Sequence, residues 1–154
     1  MANNTSSRIC LRILPKLSPT SRRRLEAVID RYRERCDVPA EAVVEVTIGD
    51  DALLADLNER YRKGRGPTDV LAFPIGRGPA EPEEIWLWGE VYVSADRARE
   101  QAAERDISLE EELAVLVAHG LLHLADYEDD TDEGRARMED ATARLVAESG
   151  IGGE

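Results

Sequence analysis

Lysine is nearly missing from this chain of 154 residues: Lys16 and Lys63 are the only two, in a sequence of formal net charge −12. So acidic a chain argues against indiscriminate nucleic-acid binding, because phosphate attraction depends on Lys and Arg. A carboxylate-rich surface with little lysine also fits life at high internal salt. Cysteine is scarce as well. Cys10 and Cys36 form no CxxC pair, which excludes a disulfide framework and leaves free thiols in a reducing cytoplasm as the expectation. No apolar stretch approaches the ~20 residues of a membrane span, and no charged-then-apolar leader opens the sequence. The expectation is a cytoplasmic protein, neither exported nor inserted in a membrane. With 42% hydrophobic residues, the length suits one folded domain over 1–154, with the polar residues 1–7 frayed.

The charge that is present is unevenly spread. Residues 1–80 carry 14 Lys and Arg against 11 Asp and Glu, whereas residues 81–154 carry 6 against 21. Within the basic half, Arg22, Arg23, Arg24, Arg31, Arg33 and Arg35 share one segment, and Arg60, Arg62, Lys63 and Arg65 another. The first group reads most simply as a solvated helix face.

Periodicity orders the rest. Ile9, Leu11 and Ile13 alternate as a strand does. Ser18-Pro19 is an N-cap with proline at the first helical position, and Leu25, Val28, Ile29 and Tyr32 form the apolar stripe of a helix over 19–35. Val44, Val46 and Ile48 alternate again. Asp50 caps a helix expected to bury Leu53, Leu54, Leu57 and Tyr61, and Gly64–Pro67 ends it. Val70–Pro74 is a short strand, Gly76–Pro82 a loop, and Ile85–Ser94 a strand with both faces partly covered. On that strand Trp86, Trp88 and Tyr92 read as core aromatics, with base stacking as the alternative. Ser94 begins a helix to about Arg105. Ser108-Leu-Glu-Glu111 has the S-x-x-E capping-box pattern and opens a helix that is apolar nearly all round. Thr131 caps a last helix that buries Met138, Ala141, Thr142 and Leu145. The order β-α-β-α-β-β-α-α-α predicts an α+β domain: a small mixed sheet of about four strands, packed with about five helices.

Only two histidines exist, and they stand four apart on the apolar helix, His119-Gly-Leu-Leu-His123. Helical residues i and i+4 differ by roughly 40° and about 6 Å of rise, so both imidazoles leave one face. An acidic stretch, Asp126-Tyr-Glu-Asp129-Asp130, follows at once. A carboxylate at Asp129 can fold back beyond the helix end, so that two nitrogens and one oxygen converge on a divalent metal with an open position.

Three other readings of this constellation are weaker. The spacing i, i+4, i+10 is that of the metzincin proteases, but the position of their glutamate base is Gly120, so a metalloprotease-like hydrolase ranks third. The run 126–132 has no turn glycine and no bidentate glutamate in register for a calcium loop. A structural metal would favour four ligands, usually cysteines, and neither cysteine is near in sequence.

His119-Gly-Leu-Leu-His-Leu-Ala-Asp-Tyr-Glu-Asp129 resembles the H-G-x-L-H-L-x-G-Y-D-H pattern of the YbeY endoribonucleases, also called rRNA maturation factors. Asp126, Glu128 and Asp129 depart from it, standing where the family has glycine, aspartate and a third histidine. Leu57-Asn-Glu-Arg-Tyr-Arg62, Thr68-Asp-Val-Leu-Ala-Phe-Pro74 and Gly89-Glu-Val-Tyr-Val-Ser94 extend the resemblance over roughly 40–130 in the family's order.

The resemblance implies a zinc-dependent endoribonuclease specific for single-stranded RNA. Its expected work is late rRNA maturation at the small-subunit 3′ end and ribosome quality control. The expected partners are single-stranded RNA or rRNA, the small ribosomal subunit and assembly factors, with no DNA and no membrane. It makes His119, His123 and Asp129 the ligands of one Zn²⁺ per chain, with Asp126 the next candidate for the third place. His119 and Arg62 are the residues expected to carry catalysis. The planar, permanently charged guanidinium of Arg62 suits the non-bridging oxygens of a phosphodiester. A water or a ribose 2′-hydroxyl would attack phosphorus, and the residues do not choose between them. The alternative of a different class is a non-catalytic binding factor for ribosome assembly, whose acidic half faces a basic protein.

Overall fold

The computed structural model of the chain describes residues 9–62, 68–75, 86–125, 127 and 130–150. Its strands are β1 (Ile9–Ile13), β2 (Ala42–Gly49), β3 (Val70–Pro74) and β4 (Trp86–Ser94). Its helices are α1 (Pro19–Arg35), α2 (Asp51–Leu57), α3 (Ala95–Arg105), α4 (Leu109–Leu124) and α5 (Asp132–Glu148). A π-helical turn, Asn58–Arg62, continues α2. The strands form one sheet in the order β1-β2-β4-β3, with β1, β2 and β4 parallel and β3 antiparallel to β4. The expected α+β architecture and mixed sheet are what forms.

Each helix starts where a short polar side chain can accept an orphan backbone N–H. Ser18 accepts from Ser21, Asp50 from Leu53, Ser94 from Arg97, Ser108 from Glu111 and Thr131 from Gly134. The reciprocal half of the Ser108 capping box is replaced: the Glu111 carboxylate turns to the Arg24 guanidinium on α1, 3.4 Å away.

One face of the sheet is apolar. Leu11, Val44, Val46, Ile48, Val91 and Val93 alternate onto it and are buried. Helix α4 lies against it and touches β3, β4, α1, α3 and α5, so it occupies the centre of the fold. Burying a Leu or Val side chain completely stabilises by ~1.5–3 kcal/mol, and α4 alone buries Leu113, Val117 and Leu121 without exposure.

Strand β4 departs from simple alternation. Val43 pairs with Leu87 but Val44 with Gly89, so Trp88 is an extra residue in a bulge. The slip puts Trp86 on the same face as Gly89 and Val91, and both tryptophans pack on the core. Trp88 Nε1 donates to Tyr32 Oη at 2.9 Å. The tryptophans are therefore core aromatics.

Beyond α2 the expected stripe fails at Tyr61, which is 59% exposed, and only Leu54 of that helix is buried. A π-helical turn closes i→i+5 bonds and advances less per residue, which rotates Tyr61 off the Leu54 line. Tyr61 instead meets Phe73 edge-on at 5.9 Å. With Leu57, Glu90 and Tyr92 they line a hollow of about 330 Å³ on the sheet face away from α4. Burial, and then the Glu90 carboxylate, push the Tyr92 hydroxyl up to about 12.

Candidate functional site

Helix α4 can lie close to the sheet because of one glycine. A Cβ at position 120 would stand 2.6 Å from Val91 Cγ1 and 3.0 Å from Val70 Cγ2. Position 120 therefore faces β4 and β3, and its neighbours His119 and His123 come out at the flank, half-buried. This closes the metzincin base position for a steric reason, since a glutamate there would run into the sheet.

The two imidazoles are adjacent, with ring centroids 4.8 Å apart and planes nearly perpendicular at 80°. His123 has a second fixed point. Its Nδ1 lies 3.2 Å from the carbonyl oxygen of Tyr127. A carbonyl only accepts, so that contact puts the proton on Nδ1 and, in the neutral ring, the lone pair on Nε2. The Tyr127 carbonyl is held in turn, because the Tyr127 N–H returns to Leu122 O at 3.1 Å. A metal-ligating histidine commonly has its other ring nitrogen oriented in this way. The donor set thus fits a divalent cation of the zinc class: paired imidazoles, one with its tautomer fixed, at a half-exposed helix flank.

Asp129, Asp126 and Glu128 lie outside the described residues, and among the described residues no group of three His, Cys, Asp or Glu side chains gathers to hold a metal. Arg62 is described in its backbone alone, as the last residue of the π-helical turn. Of the four candidate site residues, His119 and His123 are brought together.

The arginine-rich segment resolves differently. Arg24 and Arg33 are buried. Arg33 donates to the backbone oxygens of Ala42, Pro39 and Ala40 at 2.7, 3.3 and 3.4 Å. Arg31 and Arg35 both bind Glu148 of α5, and Arg22 donates to Leu11 O on β1 at 2.9 Å. The reading of these arginines as a solvated face holds for part of the helix only; most of them join α1 to its neighbours.

Two contributors escaped sequence reasoning. The Tyr127 carbonyl is a backbone atom and leaves no mark in a residue pattern. Gly120 did leave one, as a glycine in mid-helix, which signals close approach of another element.

A small mixed sheet with a central helix that carries paired imidazoles defines an α+β domain with a histidine pair at its flank. The chain belongs to the endoribonuclease YbeY family, whose description matches residues 15–150. It is similar to the endoribonuclease YbeY of Moorella thermoacetica, 41% identical over 74% of this chain and 77% of that one. It is also similar to that of Symbiobacterium thermophilum, 40% identical over 82% of this chain and 87% of that one. The solution structure of TM1509 from Thermotoga maritima shares the fold with a TM-score of 0.58 at 28% identity, covering 90% of this chain and 88% of the other.

Proposed function

We propose that the protein is an endoribonuclease that cleaves single-stranded RNA with the help of one zinc ion. Its work in this reading is late maturation of ribosomal RNA, at the small-subunit 3′ end, together with ribosome quality control. The observation that carries it is the oriented imidazole pair on α4, in a chain of the endoribonuclease YbeY family. His119, His123 and Asp129 are the proposed ligands. When bound, the ion supplies Lewis acidity and lowers the pKa of a coordinated water.

The chain's own residues do the remainder. Tyr127, through its carbonyl, keeps the His123 proton on Nδ1 and so presents Nε2. Arg62 is proposed to pair with the non-bridging phosphate oxygens and to stabilise the charge that develops on them, a role suited to its fixed fork of donors.

The deciding experiment is cleavage of a single-stranded RNA by highly purified protein, with and without chelator, beside His119→Ala. Chelator-sensitive cleavage that His119→Ala abolishes is expected. Tight binding of RNA or of the small ribosomal subunit without cleavage would instead make the protein an assembly factor. The charge split of the chain, with its acidic second half, is the feature that favours that alternative.

A further inference from the structure

Strands β3 and β4 serve two surfaces. Val70 and Val91 meet Gly120 of α4, whereas Phe73, Glu90 and Tyr92 stand on the opposite face of the same strands. On that face Phe73 and Glu90 are register partners, and Tyr92 lies two residues along. With Leu57 of α2 and Tyr61 of the π-helical turn they enclose the hollow of about 330 Å³. That volume lies at the small end of the range for ligand pockets, about 300–1,000 Å³, and suits one ring system at a time.

The lining combines aromatic rings with one carboxylate. Tyr61–Phe73 and Phe73–Tyr92 each pack edge-on at 5.9 Å, and Tyr61 keeps enough ring surface in water to stack on a ligand. Glu90 is half-buried, and the Tyr92 hydroxyl donates to its Oε1 at 3.1 Å. That bond steadies the carboxylate and leaves Oε2 to accept from a ligand. Among the described residues no Lys, Arg or His lines the hollow. A phosphate would therefore meet a carboxylate and no cation. A cationic side chain is disfavoured too: Arg60 already stands 5.9 Å over the Tyr61 ring, paired with Asp56 at 3.1 Å, and would face it as a like charge. A flat neutral ring with two donors on one edge meets every group, its face on the aromatics and its edge at the carboxylate. Among the RNA bases guanine has that edge, N1–H beside the N2 amino group. Adenine and cytosine place a ring-nitrogen acceptor there, and uracil sets a single N–H between two carbonyl oxygens.

We propose that this hollow binds one unpaired guanine of an RNA strand, stacked on Tyr61, with Glu90 accepting from guanine N1–H and the N2 amino group. The base must be unpaired because pairing in a duplex occupies that same edge. Binding there gives the strand a fixed point on the side of β3 and β4 opposite α4. The proposal deepens the RNA-cleaving reading and rests on it for the source of the base.

The test titrates the full-length protein with the 5′-monophosphates of guanosine, adenosine, cytidine, uridine and inosine, followed by NMR. None has a bond between nucleosides to cut, and any contribution of the shared phosphate cancels in the comparison. Guanosine monophosphate is expected to bind about tenfold more tightly than the adenosine, cytidine and uridine forms, and to shift the Tyr61, Phe73 and Tyr92 ring signals. Inosine monophosphate keeps N1–H but lacks the amino group, and should fall between. Glu90→Gln is expected to lower guanosine monophosphate binding to the adenosine level. Tyr61→Ala is expected to weaken it about tenfold through lost stacking. Equal binding of the four standard nucleotides, shifts confined to residues outside the hollow, or an undiminished guanine preference in Glu90→Gln would overturn the proposal. So would a lysine- or arginine-rich peptide that takes the hollow while the nucleotides do not. If the variants do not fold, guanosine against inosine monophosphate decides on the wild type. RNA cleavage without any guanine preference would overturn this proposal and keep the proposed function, whereas guanine preference in a protein that cleaves no RNA would do the reverse.

Discussion

Helices α1 and α4 are nearly equal in length, 17 and 16 residues, and each carries a cluster that looks functional in the sequence. The six arginines of α1 read most simply as a solvated face, the other reading being a surface for phosphate. The two histidines of α4 suggest a metal. In the fold the clusters behave oppositely. Four of the arginines, Arg24, Arg31, Arg33 and Arg35, tie α1 to α4, α5 and the loop before β2. The histidines, on the most buried helix of the chain, come out at its flank. A run of charges at a polar helix surface is cheaply satisfied by neighbouring acids and carbonyls, so it says little about ligands. Two ionisable groups inside an apolar run resist burial unless partnered, and their presence says more.

The largest effect expected from breaking this contrast lies on the α4 side. His123→Ala should lose most of the zinc that freshly purified wild type is expected to carry at close to one per chain, read by elemental analysis, because two of three proposed ligands remain. Equal zinc in both proteins would remove the proposed site.

On the α1 side the prediction is structural. Arg33→Ala should cost about 2–4 kcal/mol in denaturant unfolding, since it removes the donor to the buried Ala42 carbonyl together with the longer bonds to Pro39 and Ala40. It should leave RNA cleavage per folded molecule unchanged. Loss of cleavage at wild-type stability would reverse the assignment of that helix.

Gly120→Ala sharpens the comparison from within α4. The added Cβ meets Val91 and Val70, so a loss of about 1–3 kcal/mol is expected despite alanine's better helix propensity. A stabilised Gly120→Ala protein would show that helix and sheet are further apart than described.

The smallest effect concerns Glu148, whose hydrogen bonds from Arg35 and then Arg31 hold its carboxyl below the usual range. A carboxyl lowered on folding contributes stability above its ordinary value of 4.5 and loses it as pH falls through the folded value. Glu148→Gln should thus lower Tm slightly at neutral pH and differ less from wild type in acid. A gap that widens in acid would contradict the Arg31–Glu148–Arg35 tie.

Much of the molecule was legible in the residues. All five helix starts were marked by Ser18, Asp50, Ser94, Ser108 and Thr131, because capping is a local interaction within three residues. The α1 stripe, the order of elements and the small mixed sheet followed from periodicity. What misled the reading was phase. The bulge at Trp88 and the π-helical turn after α2 each shift the register by packing, which no period of 2 or 3.6 announces. Of the candidate site, His119 and His123 declared themselves by spacing, while Asp129 and the Arg62 side chain fall outside the described residues.

The sequence alone determined that two imidazoles share one helix face, because the i, i+4 relation is a property of the helix itself. It also determined the class of fold and, through several linked motifs, the family. Only the tertiary structure decided which way that face turns. Gly120 presses one side of α4 onto β4 and β3, which leaves the adjacent side for the histidines, and the chain beyond the helix brings the Tyr127 carbonyl to His123. Contacts between residues far apart in sequence depend on how elements stack, and that stacking is set by the whole core.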